Sequence, residues 1–210
     1  MIPIESLIPF ILASAVLAAS PGPDNVFVIT QSALHGSRTG VLVTLGLGTG
    51  LIFHTSAVAF GVAALLQTSE WAFTVLKTVG ALYLIYLAYQ AFNAHSSPLN
   101  AQKNVPRSAL QLYRRGIIMN LTNPKVSLFF LAFLPQFVST ANGTIATQVF
   151  VLGAVFAAVG LSIFFVFALL ASKIGHWLNQ SDKAQRTLHR TAGIVFIGLA
   201  VNLLLTKTQL

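Results

Sequence analysis

The chain has 210 residues, of which 55% are hydrophobic and 8% charged, with a mean hydropathy of +0.79 and a formal net charge of +8. A soluble globule carries about 25% charged residues, so this composition excludes one and predicts an all-α membrane protein. Transmembrane strands would alternate apolar and polar residues over about 10 positions, and no such alternation is present. The positive charge does not indicate nucleic acid, because no recognition motif or run of exposed aromatics accompanies the basic residues.

Apolar runs long enough for helices of about 20 residues predict six transmembrane spans, at about 7–31, 40–66, 71–92, 116–138, 147–172 and 190–206. Span 1 is interrupted. Between Leu7 and Ala33 the only charge is Asp24, set in Ser20-Pro21-Gly22-Pro23-Asp24-Asn25. Pro21 and Pro23 have no N–H to donate and crowd the preceding turn, and Gly22 is permissive, so the helix must open. Opened backbone inside a bilayer is tolerated only where protein or a water-filled cavity satisfies the freed carbonyls, and a carboxylate at that depth costs roughly 2.5–3.5 kcal/mol. A broken helix with a buried Asp is therefore a candidate binding site. Ala13-Ser14-Ala15 imitates a signal-peptide cleavage site, but no basic segment precedes it, and span 1 is expected to be retained.

In span 2, Gly46, Gly48 and Gly50 lack the preceding strand and following lysine of a phosphate-binding loop. Gly46-x-x-x-Gly50 is expected to be a small-residue face for close helix packing. His54, deep in the same span, is either a hydrogen-bonded packing residue or part of a proton relay. Span 3 opens on Trp71, an expected interfacial anchor, and carries Lys77, whose stem can snorkel to the outer surface. Tyr83, Tyr86 and Tyr89 share one helical face and are expected to pack.

Residues 93–115, with Ser96-Ser97-Pro98 and Pro106, read as a cytoplasmic linker within a single transmembrane domain. It separates repeat 1, about 1–92, from repeat 2, about 116–210. Span 4 is broken like span 1, at Asn120-Leu121-Thr122-Asn123-Pro124-Lys125. Aligning Pro23 with Pro124 sets Asp24 on Lys125 and brings Gly80 of span 3 near Gly193 of span 6. Three spans per half is an odd number, so the second half enters the membrane in the opposite orientation, giving the inverted repeat common among secondary transporters. Asp24 lies roughly 21 Å of helix from Arg38, and Lys125 roughly 15 Å from Arg115, so the two charges can meet within the membrane. Farther on, the uncharged run from Val126 to Ser172 must be split, and Pro135, Asn142 and Gly143 mark where.

Nine of the twelve Lys and Arg fall in three loops: Arg38; Lys103, Arg107, Arg114 and Arg115; and Lys173, Lys183, Arg186 and Arg190. The positive-inside rule makes these loops cytoplasmic and puts both termini outside, with Glu5 and Glu70 on the outer side.

Taken together, Pro21-Gly22-Pro23-Asp24-Asn25, Gly36-x-Arg38-x-Gly40, Asn120-x-x-Asn123-Pro124-Lys125 and Leu134-Pro135-Gln136-Phe137-Val138 resemble the lysine-exporter (LysE/RhtB) family, specifically its homoserine/threonine-exporter branch. The resemblance covers nearly the whole chain. It implies a six-span bacterial inner-membrane exporter of amino acids driven by proton antiport.

On that reading Asp24 receives a substrate's α-ammonium and Lys125 its α-carboxylate, with Asn25, Asn120, Asn123, Pro124 and the opened backbone at Pro21, Gly22 and Pro23 completing the site. Without substrate, Asp24 and Lys125 pair or Asp24 takes a proton, and His54 is the second candidate for proton coupling. One interior carboxylate and one interior cation suit a neutral amino acid, and Asn25, Thr49, Thr55, Ser56, Asn120 and Ser127 suit a small neutral or polar side chain, so the expected cargo is of the homoserine, threonine or small aliphatic kind rather than lysine or arginine. No cofactor, metal or catalytic residue is expected, since a nucleophile motif and a ligand set are lacking and Cys is absent. The rival readings are a non-transporting receptor or accessory subunit, a channel, an intramembrane enzyme using Asp24 and His54, and an exporter of basic amino acids or metal cations. The expected partners are the amino acid, protons and the lipid bilayer, without nucleic acid; the sequence leaves homo-oligomer formation open.

Overall fold

The computed structural model describes residues 2–68, 70–94, 108–171, 173 and 182–205. Its helices are α1 (Ile4–Ala19), α2 (Pro23–His35), α3 (Ser37–Thr68), α4 (Glu70–Phe92), α5 (Ala109–Leu121), α6 (Pro124–Leu128), α7 (Ile145–Leu169) and α8 (Asp182–Leu205). A π-helical turn at Phe129–Phe133 and a 3-10 turn at Leu134–Phe137 extend α6.

Both expected interruptions are present. The chain bends by 57° between α1 and α2 and by 49° between α5 and the segment Pro124–Phe137. Each time a proline, Pro23 or Pro124, opens the new helix, at the position where a missing N–H is an orphan anyway. Among the described residues, three helices are long and apolar enough to cross a membrane, within Ser37–Gly61, Ile145–Leu169 and Gln185–Leu205, or up to five if each bent pair is one span.

The uncharged stretch after Lys125 divides where expected. Helical structure ends at Phe137, a short turn occupies Thr140–Asn142, and Gly143 takes a φ of +107°, a left-handed angle that favours glycine. Gln148 holds this corner: its amide nitrogen donates to Ser139 O and Gly143 O, and its oxygen accepts from Ser139 N.

Two expectations are corrected. Helix α5 begins at Ala109, so the end of the expected linker is helical; Ser108 Oγ accepts from Gln111 N while Gln111 Oε1 accepts from Ser108 N, a capping box that starts the helix early. The rest of the linker, 95–107 with Lys103, Pro106 and Arg107, lies outside the described residues. The tyrosine stripe is not a packing face, since Tyr86 and Tyr89 are 51% and 66% exposed. Helix α4 instead buries Ala81, Leu84 and Ala88 and packs along α8.

Helix α3 lies along α5 and α7, and α1 against α7. The small-residue face does what its spacing predicts. Side chains built on Gly46 and Gly116 would collide with the Tyr113 and Val43 carbonyls, so α3 and α5 touch backbone to backbone, and Gly50 is covered by Asn120. Two apolar clusters fill the interior. The larger gathers Phe10, Phe129, Phe130, Phe133 and Phe156, and the smaller Val28, Val43, Leu47, Leu112 and Phe164. The helix breaks sit where residues of both clusters meet.

Candidate functional site at the paired helix breaks

A proline that breaks a helix strips a donor from the carbonyl four residues earlier. For Leu17 O that donor is missing at Pro21. Lys125 Nζ replaces it, donating to Leu17 O at 2.9 Å, to Ser20 O at 3.0 Å and to Ser20 Oγ at 3.1 Å. Next to it, Asn25 Nδ2 donates to Ala18 O at 2.8 Å. The second break repeats the device. Asn120 O has lost its partner at Pro124, and His54 Nε2 donates to it at 3.2 Å, alongside Asn123 N at 3.1 Å. A carbonyl only accepts, so the ring hydrogen sits on Nε2.

Asn123 ties the breaks together. As the cap of α6 its Oδ1 accepts from Lys125 N at 3.0 Å, and its Nδ2 donates to Asp24 Oδ2 at 2.7 Å. Asp24 lies in the first turn of α2 and the Lys125 ammonium at the end of α1, so each charge occupies the helix terminus whose dipole favours it.

Between these elements lies a cavity of about 30 Å³, room for one water-sized group. Asp24, Asn25, Asn120 and Lys125 form its polar wall, and Leu47, Leu51, Phe156, Gly160, Leu161 and Phe164 contribute an apolar one. Asp24, Asn25 and Asn120 are 4%, 4% and 3% exposed, and on each an Oδ1 is buried without a hydrogen-bond partner. The bond from Asn25 Nδ2 to Ala18 O fixes that amide's orientation, because a flip would set two oxygens together. A buried acceptor left unmatched costs about 1–3 kcal/mol. All three belong to residues that line this one small cavity, and such unmatched acceptors suit a multiple donor such as a primary ammonium.

The structure thus brings Asp24, Asn25, Asn120 and Lys125 to one cavity. Gly22 adjoins it: a side chain there would come within 3.3 Å of Lys125 Nζ. Pro21, Pro23 and Pro124 act through the donors they lack. No hydrogen bond joins Asp24 to Lys125, because the lysine is engaged by the end of α1. His54 is not among the residues lining the cavity; it caps the second break, 5.7 Å from the Phe130 ring. Of the polar side chains expected around a substrate, Asn25 and Asn120 line the cavity. Thr55 donates instead to Leu51 O, Thr49 Oγ1 bonds Tyr113 Oη at 2.7 Å, Ser127 donates to Asn123 O, and Ser56 lies off the wall. The apolar wall from α7 had no polar or charged residue to announce it in the sequence.

The profile of the LysE type translocator family matches residues 15–207. Over 188 residues the chain is 34% identical to the homoserine/homoserine lactone efflux protein of Salmonella typhimurium, covering 90% of each chain. It is 29% identical over 206 residues to the uncharacterized membrane protein YrhP of Bacillus subtilis, covering 94% of this chain and 97% of that one. It is 25% identical over 197 residues to the leucine efflux protein of Salmonella typhimurium, covering 92% of each. No solved structure matches the chain.

Proposed function

The chain belongs to the LysE family of translocators, multi-pass membrane transporters rather than enzymes, and from that premise we propose that it exports neutral amino acids across the bacterial inner membrane in exchange for protons. The carrying observation is the trio of unmatched buried oxygens on Asp24, Asn25 and Asn120, one of them a carboxylate oxygen, beside the ammonium of Lys125. The trio receives the substrate's α-ammonium. Its α-carboxylate draws Lys125 off Leu17 O and Ser20 O, since a charged acceptor makes roughly twice the hydrogen bond of a neutral one. The end of α1 is then released, so occupancy of the site is coupled to a helix that can move. When substrate leaves, a proton on Asp24 takes over the role of the ammonium. At about 150 mV one inward proton supplies roughly 3.5 kcal/mol, enough for about a 300-fold gradient of a neutral solute. The cargoes in the names of two relatives, homoserine and leucine, carry no charged side chain.

Reconstituted vesicles loaded with a labelled neutral amino acid are expected to exchange it with external neutral amino acids and to ignore excess lysine. Competition by lysine or arginine at equal concentration overturns the neutral-cargo reading.

The proposed topology has six crossings, with α4 as the third, in two inverted halves and with both termini outside. The packing of α3 on α7 and of α4 on α8, each helix against its counterpart, supports the repeat. Single cysteines at Glu70 and Asn142 are expected to react with an impermeant thiol reagent added to intact cells. Cysteines at Asn100 and Gln180, which lie outside the described residues, are expected to stay unlabelled. The chain has no native Cys to confuse the pattern, and its reversal refutes the orientation.

A further inference from the structure

A glycine inside a helix is less favourable than alanine, so a buried one needs a reason. For the other buried helical glycines among the described residues the reason is a neighbour. Gly46 and Gly116 meet backbone, Gly40 meets Ser32, Gly50 meets Asn120, Gly80 meets Ala132, Gly153 meets Thr55, Gly193 meets the Phe92 ring, and a methyl group at any of them would collide. Gly160 differs. It is buried in the middle of α7, yet a methyl built on it finds nothing nearer than Ala18 Cβ and Phe156 Cε1, both at 4.0 Å. The space that this glycine leaves is on the wall of the cavity that holds Asp24, Asn25, Asn120 and Lys125.

The two walls also differ in chemistry. The charges and amides come from α2, the end of α5 and α6, whereas α3 and α7 present Leu47, Leu51, Phe156, Gly160, Leu161 and Phe164. None of the five side chains among them can donate or accept a hydrogen bond, and Gly160 has none. An amino acid whose ammonium and carboxylate occupy the polar wall leaves its side chain facing this hydrocarbon, where a hydroxyl would lose its water without finding a partner.

We infer that Gly160 determines side-chain specificity: as the site widens from its water-sized substrate-free volume, the side chain enters where this glycine carries no methyl, and the surrounding wall selects an aliphatic chain over a hydroxylated one of the same shape. The inference rests on the reading of the cavity as an amino-acid site, and deepens it by naming the part of the substrate that α7 measures. Of the hydroxylated and small aliphatic cargoes that the sequence left open, it selects the aliphatic, since Thr49, Thr55 and Ser127 are engaged elsewhere.

The test uses wild type, Gly160→Ala and, as a control, Gly198→Ala, reconstituted and assayed for exchange of labelled leucine, valine, threonine and alanine. Gly198 is exposed, with open space where its methyl would go. Wild type is expected to prefer valine to its isostere threonine by at least about 5-fold. Gly160→Ala is expected to lower leucine exchange relative to alanine exchange by about 10- to 200-fold, the usual worth of one methylene in an apolar pocket, with an undiminished melting temperature in detergent. The control is expected to match wild type. If wild type exchanges none of the four, the amino-acid reading itself fails. If wild type is active, four results overturn the inference alone: equal or greater exchange of threonine, an unchanged leucine-to-alanine ratio in Gly160→Ala, an equal loss of all substrates in that variant, or its failure to fold.

Discussion

Lys125→Met is expected to reduce amino-acid exchange by on the order of 100-fold while the chain still inserts. Methionine keeps most of the aliphatic stem but removes every donor, so what is lost is the ammonium and little of the packing. Two carbonyls at the end of α1, Leu17 O and Ser20 O, then lose the partner that replaced the proline-deleted N–H. In hydrocarbon such groups are expensive to leave bare, and the melting temperature in detergent is expected to fall as well. The transport defect has a separate origin. Truncating one member of a buried charge pair typically costs about 2–5 kcal/mol, and here the missing member is the proposed partner of the substrate carboxylate. Initial exchange rates and melting temperatures measured on the same preparation separate the two effects. Lys125→Arg is expected to recover insertion and part of the stability but little of the transport, because a planar fork cannot place three donors in the space beside Gly22 where one compact ammonium sits. Exchange by Lys125→Met within about threefold of wild type would sink the proposed role, since no binding partner of the carboxylate is that dispensable.

What could be read in the sequence and what could not divides along the range of the interactions. The two breaks were legible because the cause is local: Pro21, Pro23 and Pro124 lack an N–H wherever the chain places them. What replaces those donors was not legible, because Lys125 and Leu17 are 108 residues apart and Asn123 and Asp24 are 99 apart. Of the two arrangements the sequence left open for the empty site, a direct pair of Asp24 with Lys125 or a protonated Asp24, the direct hydrogen bond is not the one formed. The opened backbone had a prior claim on the ammonium. For His54 the sequence left a hydrogen-bonded packing residue and a proton relay open; which group the ring would bond was not legible, because the carbonyl bared by Pro124 lies 66 residues away. The early start of α5 was visible in Ser108-x-x-Gln111 and was masked by the polar linker before it. The apolar wall of the cavity left no signal, since Phe156, Leu161 and Phe164 are indistinguishable in the sequence from residues that face lipid, and only the packing reveals that Gly160 has no neighbour requiring it.

Asp24→Asn is expected to abolish proton-driven accumulation without removing the protein from the membrane. The substitution is nearly isosteric, and the new amide oxygen can still accept from Asn123 Nδ2, so the bridge between the two breaks survives. What disappears is the one carboxylate on the cavity, with an oxygen that has no partner in the substrate-free arrangement. An amide there neither attracts an ammonium as an anion does nor takes and releases a proton in turn. Inside-out vesicles carrying wild type are expected to concentrate substrate when energised, up to about 300-fold per proton at 150 mV, and to lose the gradient when the potential is collapsed. Vesicles carrying Asp24→Asn are expected to show the same low ratio in both conditions. His54→Gln provides the contrast. The glutamine amide can donate to Asn120 O in place of the imidazole, so the second break stays capped; transport is expected to slow, with the accumulation ratio retained. The assignment reverses if His54→Gln flattens the ratio while Asp24→Asn preserves it, because the proton would then travel through the ring at the second break and the carboxylate at the first would serve binding alone.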